Sequence, residues 1–290
     1  MDLSFITIQL LNSVQYGFLL FLVASGLTLI FGIMGVINIA HGSFYMIGAY
    51  LTYWLHLKTG NLFLAIVFGL PITVAIGFAI ERLAIRYLYA RDHLYQVLLT
   101  YGLILIFNEM QRVLWGNDVH GVPVPAILGA SIPLTQTQSY PVYRLFISAA
   151  CIALAIGMYA VIQHTRLGMT IRAGASNRTM TQVLGVDVTR LFSLIFSLGA
   201  ALAAFSGMLS APVSSVYPGM GEQVLIISFV VVVIGGIGSI KGALVGAMLI
   251  GLADTFGKVL LPDLSGIVVY LLMALVLLWR PQGLFGAPAR

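Results

Sequence analysis

The sequence predicts an all-α, polytopic integral membrane protein with eight or nine transmembrane helices. Of its 290 residues 60% are apolar and 8% are charged, whereas about 25% are charged in an average soluble domain. Residues 3–57 contain no Asp, Glu, Lys or Arg. As one helix this run would measure roughly 80 Å, against about 30 Å for the bilayer core, so it must cross the membrane twice. We expect one transmembrane domain over residues 1–290, without a soluble domain.

The apolar segments predict nine helices, listed here in chain order: 6–31, 37–57, 62–81, 94–115, 143–164, 191–211, 223–240, 243–260 and 264–280. The seventh and eighth segments are short and interrupted by glycine. Eight spans, or a re-entrant segment, therefore remain open alternatives.

The basic residues predict the orientation, because Lys and Arg accumulate in cytoplasmic loops. Loop 82–93 contains three arginines and loop 165–190 contains four. With Lys241, Arg280 and Arg290, ten of the fourteen cations lie on one side if the amino terminus is outside and the carboxyl terminus is cytoplasmic. Loop 116–142 is then extracytoplasmic. Its four prolines predict an ordered, irregular cap, which is either a connector or a docking surface for an external partner.

Small residues recur at every fourth position in two of the predicted helices. Such ridges allow membrane helices to pack closely, here more often within the chain than against a second subunit. They are Gly199, Ala203, Gly207 and Ala211, and Gly238, Gly242 and Gly246 with Ala243, Ala247 and Gly251 beside them.

Glycine-interrupted segments occur in both halves of the chain, at 32–43 and 235–242. Such segments indicate broken helices beside a translocation path, although tight turns between helices would look the same. The residues that we expect at the path or gate are Asn38, His41, Gly42, Ser43, Tyr45, Gly235, Gly236 and Gly238. A structural hydrogen-bonding role for Asn38 and His41 is the alternative.

Two pairs of opposite charge lie within predicted helices. Glu109 and Arg112 are three residues apart, and Asp254 and Lys258 are four apart, so each pair shares a helical face. We expect these intramembrane pairs to neutralise each other rather than to relay protons.

Several reactions are disfavoured by the residues themselves. The five histidines have no metal-ligand spacing, so no metal site is predicted. Ser206 lies on a small-residue ridge, where an interhelical hydrogen bond explains it better than protease chemistry. Ile240 precedes Lys241 where a phosphate-binding loop needs glycine, so we expect no nucleotide site and no enzymatic activity in this chain. Cys151 is the only cysteine, which excludes an intramolecular disulfide.

Loop 165–190 contains a predicted two-turn helix. Asn177 can cap its start and Gly185 can end it in a left-handed conformation, with Met180 and Leu184 on one face. Because two turns are marginal alone in water, we interpret the helix as a docking element for another protein. An amphipathic helix resting on lipid headgroups is the alternative.

Four motifs resemble the LivH-type permeases of high-affinity branched-chain amino acid ABC importers. They are GVINIAHGSFYMIGAY at 35–50, GMTIRAGASN at 168–177 followed by LGV at 184–186, GGIGSIKGALVG at 235–246, and RPQGLFG at 280–286. They occur in the family's order and at its spacing over nearly the whole chain. Two positions depart from the family: Met180-Thr181 replaces the usual Ala-Ala, and some relatives have an acidic residue in place of Ser43.

The resemblance implies a permease subunit in the bacterial inner membrane that pairs with a LivM-like homologue or a second copy of itself. Two ATP-binding subunits would hold ATP and Mg²⁺, and a periplasmic protein would deliver substrate. This chain itself would contact membrane lipid but bind no nucleic acid and no resident cofactor. The resemblance makes residues 172–185 the ATPase-coupling segment, with Arg172, Ala173, Asn177, Met180, Leu184 and Gly185 as its expected contacts.

The cargo implied by the resemblance is a branched-chain or other hydrophobic amino acid. Related permeases make urea, short amides or aromatic acids the alternative cargo. A stand-alone channel, a secondary carrier and an intramembrane enzyme are the competing classes of protein.

Overall fold

The computed structural model describes residues 3–89, 91–133 and 138–286, and each of the nine predicted apolar segments is a helix in it. These helices are α1 (Leu3–Leu29), α2 (His41–Thr59), α3 (Leu62–Leu83), α4 (His93–Trp115), α5 (Val142–His164), α8 (Val188–Ser214), α9 (Met220–Gly235), α10 (Ile240–Leu260) and α11 (Ser265–Trp279). Seven of them are long and apolar enough to cross a membrane. The exceptions are α2, with 19 residues and less apolar character, and α9, with 16 residues.

The centre of the bundle is formed by α1, α2 and α8, most of whose residues are buried. Helices α3, α4, α5 and α11 surround it, and most of their apolar side chains are at least partly exposed. In a membrane protein such an outer surface faces lipid or a partner subunit, because lipid tails are as apolar as the side chains that touch them.

Both predicted small-residue ridges pack within the chain, which confirms the intramolecular prediction. A Cβ added to Gly199 would lie 3.0 Å from the Gly26 carbonyl oxygen of α1. A Cβ on Gly251 would lie 2.5 Å from the Ser13 oxygen, and one on Gly246 would lie 2.7 Å from that of Val231. Larger side chains at these positions would therefore separate α8 and α10 from their neighbours.

The two glycine-rich segments differ in structure. After α1 a π-helical turn, Ile30–Met34, leads to Gly35 at φ +65°, and residues 36–40 are not helical. Val36, Asn38 and Ala40 of this break are buried. The amide groups of Ile37 and Ile39 donate to the side chains of Gln96 and Thr100 on α4. Non-helical backbone is tolerated at membrane depth when its polar groups are satisfied in this way. The first segment is thus a broken helix.

The second glycine-rich segment is a tight turn. Helix α9 ends at Gly235, residues 236–239 reverse the chain, and α10 begins at Ile240. The turn touches the first break, since a Cβ on Gly32 would lie 2.5 Å from the Gly238 Cα. Broken helices were predicted in both halves, but only the first segment is one.

Residues 165–190 contain two helices, α6 (Arg166–Ser176) and α7 (Arg178–Val183), whereas the sequence predicted only the second. Thr165 caps α6 by accepting from the Gly168 amide. Residues 116–142 form a 3₁₀ turn at Ala126–Leu128 and an antiparallel hairpin of β1 (Ser131–Pro133) with β2 (Ser139–Pro141). The hairpin is a small addition to an otherwise helical fold.

Candidate functional site: a polar cavity and an exposed coupling segment

A polar cavity of about 530 Å³ lies at the end of the bundle where α1, α5 and α9 begin and α8 and α10 end. Its polar lining includes Gln9, Asn12, Gln15, Tyr16, Tyr45, Arg144, Tyr217, Gln223, Asp254 and Lys258. The main core of the bundle is hydrophobic, so this concentration of polar groups makes the cavity the candidate path for a polar solute.

Ion pairs and hydrogen bonds fix the charged side chains of the cavity. Lys258 Nζ lies 2.6 Å from Asp254 Oδ2 and 5.7 Å from the centre of the Tyr16 ring. Arg144 donates to the side-chain oxygen of Asn12. Asp254 is buried, while the Lys258 side chain is 62% exposed. The predicted Asp254–Lys258 pair is therefore present, at the wall of the cavity.

Of the eight residues that the sequence placed at the path, only Tyr45 lines this cavity, and its hydroxyl lies 2.6 Å from Ser210 Oγ. Asn38 and His41 are fully buried in the break between α1 and α2. His41 Nε2 hydrogen-bonds the Val23 carbonyl at 3.0 Å, and Asn38 Oδ1 accepts from the Ala40 amide. Asn38 Nδ2 and His41 Nδ1 lack a hydrogen-bond partner among the described residues.

The remaining path candidates are close helix contacts. A Cβ on Gly42 would lie 2.1 Å from the Gly221 oxygen of α9. Ser43 is buried on the first turn of α2. Gly235, Gly236 and Gly238 lie in the α9–α10 turn, at the end of the bundle opposite the cavity. These residues could shape a rearrangement, but the structure does not gather them around one cavity.

The short helix α7 has the cap and the stop that the sequence predicted. Asn177 Oδ1 accepts from the Met180 amide at 2.9 Å, and Gly185 has φ +86°. Met180 and Leu184 are 57% and 75% exposed. The helix therefore presents an uncovered apolar tip at the end of the bundle opposite the cavity.

The base of this segment is attached to the bundle. Arg172 donates to the Ile162 carbonyl oxygen of α5, and the Ala173 oxygen accepts from the Asn177 amide. On the inner side of α7, Thr181 is buried. The Arg178 guanidinium lies over the rings of Phe192 and Tyr89, at 4.7 and 5.7 Å from their centres.

Sequence reasoning missed a buried carboxylate beneath α7. Glu81, at the end of α3, is fully buried and accepts hydrogen bonds from Tyr89 and Ser193, with Arg86 at 3.6 Å. Burial, reinforced by the Glu81 hydrogen bond, raises the pKa of Tyr89 well above its ordinary value, so the phenol remains a donor. The sequence did contain one signal of this cluster, because Glu81 precedes Arg86 by five residues near the end of a predicted helix.

The second predicted ion pair is also present but has a different environment. Arg112 and Glu109 lie 2.5 Å apart on α4, and both side chains are 58% exposed. Neither residue lines the polar cavity.

Comparison with known proteins identifies the family. The family model described as "Branched-chain amino acid transport system / permease component" matches residues 9–277. The permease protein BraD of Pseudomonas aeruginosa is 32% identical, covering 97% of this chain and 95% of its own length. LivH of Escherichia coli K12 is 30% identical over the same shares. Both relatives are named as permease proteins of high-affinity branched-chain amino acid transport systems.

A more distant relative is LivM of Escherichia coli K12, which is 25% identical over 89% of this chain and 66% of its own length. No solved structure matches the chain. The apolar helices and the permease relatives together identify a multi-pass inner-membrane protein. The chain belongs to the family of permease components of branched-chain amino acid transport systems.

Proposed function

We propose that this chain is one of two permease subunits of an ABC importer that moves branched-chain or other hydrophobic amino acids into the cytoplasm. The observation that carries the proposal is the family match over residues 9–277, together with the named systems of its relatives. The LivM-like relative makes a homologous second permease the favoured partner.

In this proposal ATP is bound and hydrolysed by other subunits of the transporter. Two ATP-binding subunits hold ATP and Mg²⁺ at the cytoplasmic face, and a periplasmic binding protein delivers substrate to the polar cavity. Residues 116–142 face the periplasm, and residues 165–190 face the cytoplasm. Nucleotide can drive transport only if the transporter binds it with different affinities in the two states of the permease.

In this proposal α7 transmits the effect of nucleotide binding from the ATP-binding subunits to the permease. Its exposed Met180 and Leu184 tip is suited to dock on an ATP-binding subunit, and Arg178 joins its inner side to α8. Docking would bury the apolar tip, while Asn177 and Gly185 keep the helix at a fixed length.

The test uses the complete transporter in proteoliposomes, with L-leucine and its binding protein. Gly185→Val introduces a β-branched residue at φ +86°, which costs about 1–2 kcal/mol and distorts the end of α7. We expect leucine uptake to fall while the complex still inserts and hydrolyses ATP without binding-protein stimulation.

The matched control is Gly60→Val. Gly60 also has a left-handed φ, +65°, and a Cβ there also meets open space, but it lies at the end of α2, away from α7. This variant should keep normal coupling. Unchanged uptake and stimulation in Gly185→Val would contradict the role given to α7, and wild-type uptake that needs no ATP would contradict the proposed class of transporter.

A further inference from the structure

The polar cavity has two unlike walls. One carries the charged side chains of Arg144, Asp254 and Lys258 from α5 and α10. The other is formed by α9, where Met220, Val224 and Ile227 follow one another at intervals of four and three residues and so share an apolar face, with Gln223 beside them. A solute in this space meets charged side chains from α5 and α10 and mainly apolar side chains from α9.

The charged wall has binding capacity that the chain itself does not use. Arg144 takes part in none of the ion pairs among the described residues, and its side chain hydrogen-bonds only neutral groups there, the amide of Asn12 and the hydroxyl of Tyr140. Lys258 engages one of the two carboxylate oxygens of Asp254. The cavity thus contains two cations and one anion, with an arginine available for a carboxylate.

Asp254 is the one anionic side chain among the described residues that line the cavity, and it needs a cation beside it. Its side chain is 12% exposed, so its charge is largely removed from water. Lys258 supplies that cation, but its side chain is 62% exposed, and its ammonium group is carried on a flexible aliphatic chain. An incoming ammonium group could replace Lys258 without leaving the carboxylate uncompensated.

We propose that the cavity is a transit site that recognises both charges of a zwitterionic aliphatic amino acid. The substrate ammonium pairs with Asp254, the substrate carboxylate pairs with Arg144 and the displaced Lys258, and the aliphatic side chain lies against α9. The inference rests on the proposed function and adds selectivity inside the permease to the selectivity of the delivering protein. In the empty site, the Asp254–Lys258 pair keeps the buried charge neutralised.

A charge swap separates recognition from mere neutralisation. The double variant Asp254→Lys with Lys258→Asp keeps an ion pair at i,i+4 but reverses which charge is buried. We expect leucine uptake by the complete transporter to fall at least tenfold, because the buried position would then repel the ammonium group. The matched control is the swap Glu109→Arg with Arg112→Glu, whose residues lie outside the cavity, and it should retain uptake within about twofold.

Assembly of each swapped complex is checked by its elution volume and thermal midpoint. If the cavity swap assembles and transports leucine at the wild-type rate, the inference fails while the proposed function stands. If wild-type complex shows no ATP-driven leucine uptake, the proposed function fails first.

A binding assay tests the same site without transport. Val224→Cys places a thiol on the apolar wall, and the native Cys151 is fully buried and should stay silent toward a charged thiol reagent. In the nucleotide-free complex, L-leucine should protect the new thiol. The analogues 3-methylbutylamine, which lacks the carboxylate, and 4-methylpentanoate, which lacks the ammonium group, should need at least tenfold higher concentrations.

The Arg144→Gln variant sharpens this assay. It should weaken protection by leucine and by 4-methylpentanoate, while leaving protection by 3-methylbutylamine within about twofold, because the amine does not use the arginine. Equal protection by the three probes, or no protection by any of them, would overturn the proposal. This readout is one that a purely structural arginine would not produce.

Discussion

Single residues decide how closely the backbones of this bundle approach one another. A Cβ on Gly207 would lie 2.0 Å from the Tyr45 carbonyl oxygen, whereas one on Gly157 of α5 meets nothing within 4 Å. Gly207→Ala should therefore push α8 from α2 and lower the free energy of unfolding by about 1–3 kcal/mol. Gly157→Ala should be neutral or slightly stabilising, since alanine is the better helix former. Unfolding of the purified protein in mixed micelles measures both, and equal effects would contradict the close contact.

The buried Glu81 carboxylate makes a second prediction at the same scale. Glu81→Gln removes the charge that faces Arg86 and weakens the bonds from Tyr89 and Ser193. Because Arg86 is only 30% exposed, we expect a loss of about 2 kcal/mol in the free energy of unfolding. The control is Glu222→Gln, at an exposed carboxylate bonded to Asn108, which should change stability by less than about 0.5 kcal/mol. If Glu81→Gln is as stable as the control variant, the interactions of the Glu81 carboxylate contribute no net stability.

At the scale of elements, Arg178 is the link between α7 and the rest of the bundle. Arg178→Ala removes an exposed guanidinium that stacks on two rings, and each such contact is worth about 0.5–1 kcal/mol. If α7 is held less firmly, ATP hydrolysis should be coupled less tightly to movement of the permease. The amount of leucine imported per ATP hydrolysed should therefore fall several-fold. Arg178→Lys should restore part of this ratio. Arg166→Ala, at an exposed arginine of the neighbouring α6, serves as the control, and an equal fall there would show that loop charge matters rather than the ring contact.

Helix α7 and the break after α1 also show what the sequence could predict at this scale. The cap at Asn177 and the stop at Gly185 are local signals, and both are present. The path residues were less predictable, because membership of a cavity depends on how distant helices cross. Asn38 and His41 were predicted at the path, with structural hydrogen bonding as the alternative. In the fold Asn38 accepts from the Ala40 amide within the break, and His41 bonds the Val23 carbonyl oxygen of α1. Arg144 lies 110 residues from Asp254, and no pattern in the chain joins them.

At the scale of the whole molecule, the nine helices were predicted because apolar length is a strong signal. The ends of the bundle separate into one that carries the arginine-rich segments and one that carries residues 116–133. We expect the arginine-rich end to face the cytoplasm. Gln182→Cys should react with a membrane-impermeant maleimide only after cells are permeabilised, while Asp118→Cys should react in intact spheroplasts. Cys151 is buried and gives no background, and the reverse labelling pattern would refute the orientation.

The carboxyl-terminal motif has a consequence for biogenesis. The amide groups of Leu284 and Phe285 donate to the carbonyl oxygens of Ile234 and Gly235, so residues 284–285 hold the turn between α9 and α10. These residues follow α11 in the sequence, and the ribosome therefore delivers them after all the helices. The hairpin of α9 and α10 is therefore synthesised before the residues that hold its turn. Newly inserted chains should then pass through a protease-sensitive interval that ends only when synthesis reaches this motif.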